Sequence, residues 1–109
     1  MAMTVASVRE IIDESLDLLK NRSIVADSPE LASKLESVRS VLIRNEKKIW
    51  LRTKKGRGML AEIGTAAESL RGSLRSPGEI GAVDAAISNL EALSSAIDEE
   101  SRKRSMVVT

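Results

Sequence analysis

The chain has 109 residues, 42% of them apolar and 30% charged, with a formal net charge of +1. This bounds it to one ordinary helical or globular domain and argues against wholesale disorder. It contains no Cys, His, Tyr or Phe, so imidazole bases, thiolate nucleophiles, phenolic acids and most soft metal ligands are missing; Asp, Glu, Lys and Ser remain as a poor toolkit for an acid/base enzyme, and the expectation is a non-enzymatic protein with no cofactor and no metal.

Apolar residues recur at steps of three and four almost throughout, without a useful run of strand-like alternation, so the predicted fold class is all-α. Apolar runs stay far below membrane-spanning length, and the first ten residues lack a charged segment followed by an apolar one. The expectation is therefore a cytoplasmic protein with no membrane association.

The first predicted helix starts at the capping box Ser7-Val8-Arg9-Glu10 or slightly earlier at Thr4. Its face is Val8, Ile11, Ile12, Leu16 and Leu19, and it ends near Asn21. The second starts at Asp27 or Ser28, with Pro29 in the first turn where a missing N–H costs nothing. Its stripe runs through Leu31, Leu35, Val38, Leu42 and Ile49 and continues the helix to Lys55, with polar Asn45 on the seam. Asn45 is either a buried residue that fixes register or a residue at the solvated edge. The third helix is expected from near Gly58, with Leu60, Ile63, Ala67, Leu70 and Leu74 as its stripe. Ser76-Pro77-Gly78-Glu79 forms a capping box for the fourth, whose stripe is Ile80, Val83, Ile87, Leu90, Ser94 and Ile97.

These stripes are narrow, and small residues such as Gly64, Ala66, Gly72, Ala82, Ala85, Ala86 and Ser95 flank them. That pattern predicts antiparallel helical hairpins, the first helix with the second and the third with the fourth, forming a four-helix bundle or a coiled-coil-like dimer. One domain spans residues 1–104 and a flexible tail spans 105–109. A chain with one aromatic residue fills little core volume, so a homo-oligomer, a dimer or larger, is expected.

Charge is unevenly distributed. Residues 1–43 hold five basic and seven acidic groups, residues 44–57 seven basic and one acidic, residues 58–101 two basic and eight acidic, and 102–104 three basic. The basic block comprises Arg44, Lys47, Lys48, Arg52, Lys54, Lys55 and Arg57. Cations near a helix C-terminus complement its dipole, but that accounts for two or three of them. On a continuous helix Arg44, Lys47, Lys48, Arg52 and Lys55 share one side, the footprint of a polyanion contact. Trp50, inside this block, is either a core or interface anchor or a platform on which bases stack. The stretch "KKGRG" has neither the glycine spacing nor the preceding strand of a nucleotide-binding loop. The acidic row Glu10, Asp13, Glu14 and Asp17 is either the solvated side of a helix or a place for a hard divalent cation.

Two functional expectations follow. The first is a self-associating helical protein that binds nucleic acid through residues 44–57, by phosphate contacts and with little sequence preference. The alternative is a protein-interaction module, an assembly subunit, adaptor or chaperone, whose basic end docks on an acidic protein partner or on the acidic fourth helix of a second copy.

Overall fold

The computed structural model describes residues 4–22, 28–75 and 80–107. They form four α-helices, α1 (Val5–Arg22), α2 (Ser28–Asn45), α3 (Lys54–Arg75) and α4 (Ile80–Val107), with a 3-10 helix at Ile49–Arg52 between α2 and α3. Among the described residues there is no strand, and no helix is long and apolar enough to cross a membrane.

The earlier of the two possible starts for α1 is the one adopted. Thr4 Oγ1 accepts the Ser7 amide at 3.1 Å and the Thr4 carbonyl accepts the Val8 amide at 3.0 Å, so Thr4 occupies the N-cap. α2 begins at Ser28, with Pro29 in its first turn. Asp27 and the capping box at 76–79 lie outside the described residues. α4 continues to Val107, so the tail expected from residue 105 is helical over its first three positions.

α1 packs against α2 and α3, and α4 packs against the same two helices, so the order around the bundle is α1, α2, α4, α3. Both predicted hairpins are present. α2 and α3, consecutive in the chain, stand on a diagonal, and the chain between them crosses one end of the bundle. Arg44 in the last turn of α2 reaches Asp98 near the end of α4, which makes these neighbours parallel, as are α1 and α3. The interior is filled by the expected stripes: Ile12, Leu35, Leu42, Ile63, Leu70, Ile87, Leu90 and Ile97 are all essentially inaccessible. One chain thus encloses a core contributed by all four helices. Of the small flanking residues, Gly64 and Ala66 are buried, whereas Gly72, Ala82, Ala85 and Ser95 are exposed.

The crossing corrects two sequence expectations. α2 stops at Asn45 instead of running to Lys55, and Ile49, assigned to its stripe, is 79% exposed. α3 starts at Lys54, before Gly58. The physical reason lies in Trp50 and Leu51. Both are large apolar side chains that need cover at the end of the bundle. The 3-10 turn laid across the bundle end buries both, at 7% and 5% exposure.

Candidate nucleic-acid interface at the crossing end

Thr53 joins the crossing to α3. Its backbone amide and its hydroxyl both donate to the Trp50 carbonyl, at 3.0 and 2.6 Å, and its hydroxyl accepts the Gly56 amide at 3.3 Å. One side chain therefore closes the 3-10 turn and caps the next helix. Gly56 permits the arrangement, because a Cβ there would stand 2.4 Å from both the Leu51 Cα and the Trp50 carbonyl oxygen. Gly58 has open space where its Cβ would be. The first glycine of "KKGRG" is thus a close-approach residue inside a helix, and neither glycine makes the turn.

Beneath the crossing lies a polar network. The buried indole N–H of Trp50 donates to Ser101 Oγ at 2.6 Å, and the Ser101 hydroxyl donates to Asn45 Oδ1 at 2.5 Å. Asn45 Nδ2 donates to the Val41 carbonyl at 2.8 Å and to Asp98 Oδ1 at 3.3 Å. Asn45 is 1% exposed, so the buried alternative holds, and its amide links α2 to α4. Trp50, Ser101 and Asn45 each find a partner in this network, which removes the cost of leaving a buried donor or acceptor unsatisfied there. The Arg104 guanidinium stands over the indole, 5.2 Å from the ring centroid. With one edge bonded inside and one face covered, Trp50 is an anchor of the bundle end. Ser101 was not singled out from the sequence, although a signal existed: it continues the stripe of α4 four residues past Ile97.

The seven cations of the block are dispersed over the end of α2 (Arg44), the following turn (Lys47, Lys48), the 3-10 helix (Arg52) and the first turn of α3 (Lys54, Lys55, Arg57). They share one end of the molecule, not one side of one helix. Two are engaged by α4. Arg44 meets Asp98 at 2.9 Å, and Lys55 meets Glu100 at 2.6 Å. The hydrogen bond from Arg44 holds the Asp98 carboxyl below its ordinary range, with Asn45 adding to the effect, and that from Lys55 does the same for Glu100. Lys47, Lys48, Arg52, Lys54 and Arg57 are exposed and have no ion-pair partner among the described residues.

Three of the seven, Lys54, Lys55 and Arg57, stand at a helix N-terminus with no acidic residue in that first turn. The helix dipole disfavours cations there. Dipole complementarity therefore covers Arg44 at the end of α2 and opposes the cluster on α3.

The acidic row of α1 is occupied in another way. Asp13 pairs with Arg39 of α2 at 2.6 Å, and Glu14 meets Arg71 and Arg75 of α3. No group of three carboxylates suited to a metal ion forms among the described residues. A groove of about 400 Å³ opens between the start of α1, the turn after α2, the 3-10 helix and α3. Val5, Ala6, Leu51 and Leu60 contribute its apolar lining, and Lys47, Lys48, Arg52 and Arg57 its basic part.

The chain matches no protein-family model, and no curated protein or solved structure shows significant similarity to it.

Proposed function

We propose that this chain is a non-enzymatic helical protein that holds the phosphate backbone of nucleic acid against the crossing end of its bundle. The observation that carries the reading is the surplus of charge: five exposed cations from three consecutive elements, without an ion-pair partner among the described residues, two of them at a helix N-terminus where folding alone disfavours them. Trp50 faces inward, so the contact is to phosphates and not to stacked bases, and sequence preference is low.

The test is anisotropy of a labelled DNA or RNA duplex across a salt series. Contacts from Lys47, Lys48, Arg52, Lys54 and Arg57 give a slope of log affinity against log salt of about −4 to −5. Replacing these residues by Glu flattens the slope and abolishes binding while circular dichroism stays helical. Absence of any duplex or single-strand binding at low salt defeats the reading.

One observation favours the second reading, docking on a protein partner. Ile49 is 79% exposed between Lys48 and Arg52, an apolar anchor that phosphates do not use. A second copy offers the matching charge, because Glu62, Glu68 and Asp84 are exposed and have no ion-pair partner among the described residues. Head-to-tail association of this kind predicts a mass above that of the monomer in light scattering at low salt, lost in Ile49→Ser and in the charge-reversed variant alike.

A further inference from the structure

The groove at the crossing end joins two properties that phosphate contact alone does not need. Its deepest lining is aliphatic, from Val5, Leu51 and Leu60, each less than a tenth exposed, with Ala6 on the α1 side. Lys47, Lys48, Arg52 and Arg57 make most of the remaining lining, which Thr4 and Glu46 complete. The sole carboxylate there, Glu46, is paired with Arg9 of α1, so the four cations that line the groove are not offset within it. The wall formed by Thr4, Val5 and Ala6 is also the first turn of α1, whose amides give the wall a positive dipole end.

A site whose apolar floor and cationic rim lie side by side selects a ligand of the same two parts. We infer that the groove binds a small single-chain amphipathic anion, an aliphatic tail bearing a carboxylate or phosphate monoester, with the tail along Val5, Leu51 and Leu60 and the head among Lys48, Arg52 and Arg57. Size decides between this and an acidic peptide helix. At about 400 Å³ the groove falls in the small-molecule range, whereas a helix with its side chains is roughly 10 Å across and needs a longer trough. The ligand is a freely dissolved molecule and not a lipid in a bilayer, because its tail must leave water for a recess inside the protein.

Isothermal titration of the full chain with decyl phosphate, below its micelle concentration, tests this. The expected result is saturable one-to-one binding. Inorganic phosphate and decyltrimethylammonium should each bind at least about tenfold more weakly, since one lacks the apolar contact and the other opposes the charge. Ala6→Phe places a ring in the recess from an exposed position and should abolish decyl phosphate binding while helicity and the salt slope for duplex stay unchanged. Arg52→Gln with Arg57→Gln should weaken decyl phosphate binding by about tenfold or more. Equal affinity for inorganic phosphate overturns the inference, as does undiminished binding by Ala6→Phe. Association with phosphatidylserine vesicles without binding of dissolved decyl phosphate overturns it as well. The Ala6→Phe arm separates its failure from failure of the nucleic-acid reading, because only the recess is altered.

Discussion

The flanks of the bundle and its crossing end use the same residue types in opposite ways. Along the flanks the interior is mostly aliphatic, and several of the charges outside are matched between helices, Asp13 with Arg39, Glu36 with Lys20, and Glu14 with Arg71 and Arg75. At the crossing end the interior carries Trp50, Ser101 and Asn45 in one hydrogen-bonded chain, and five of the seven cations of residues 44–57 have no ion-pair partner among the described residues. The contrast separates two roles of charge. Exposed pairs between neighbouring helices add little energy each, about 0.2–1 kcal/mol, and help specify which helices meet. Unmatched cations on one end contribute nothing of that kind.

The largest effect expected from breaking this contrast is at Trp50. Trp50→Ala removes the aromatic plug of the crossing and takes from the Ser101 oxygen the donor it accepts, for a loss of about 3–5 kcal/mol, a large share of the stability of a small domain. Chemical denaturation should show it as a lowered midpoint. A loss below about 1 kcal/mol would mean that the crossing is not held by its core.

The two glycines of "KKGRG" sharpen the comparison at the next level. Gly56→Ala drives a methyl into the backbone of the 3-10 turn and should cost about 1–3 kcal/mol, because backbone cannot yield as a flexible side chain does. Gly58→Ala meets nothing and should raise stability by roughly 0.5–1 kcal/mol through helix propensity. Thermal melts of the pair measured together test the close approach directly, and identical shifts would refute it.

Acid gives the smallest effect. Asp98 and Glu100 have folded-state values held below the ordinary ones by Arg44 and Lys55, so their contribution to stability is complete above about pH 4 to 5 and disappears as pH falls through the lowered values. The melting difference between wild type and Arg44→Gln with Lys55→Gln should be constant from neutral pH to about pH 5 and should narrow below about pH 4. A difference that persists unchanged in strong acid would assign these cations another role.

The helices were legible because their stripes obey one period: Val8 to Leu19, Leu31 to Leu42, Leu60 to Leu74 and Val83 to Ile97 are all buried as spaced. The end of α2 was not legible, because the period runs on after the helix has stopped. Ile49 follows Asn45 by four and the cations keep helical steps, while residues 46–48 contain no Gly or Pro to mark a break. The glycines that do suggest a turn, Gly56 and Gly58, stand inside α3. The basic cluster was legible as a block. Which of its members are free was not, since that is decided by Asp98 and Glu100, 54 and 45 residues away from the cations they hold.

The diagonal placement of α2 and α3 also governs how the chain comes apart. Each helix has one neighbour from its own hairpin and one from the other, so neither hairpin encloses its apolar stripe by itself. A chain opened within the 3-10 turn would yield two fragments, one carrying Leu42 and Asn45 without α4, the other carrying Ser101 without its amide partner. Such fragments should regain helical structure only by meeting each other, at a rate that rises with the concentration of both.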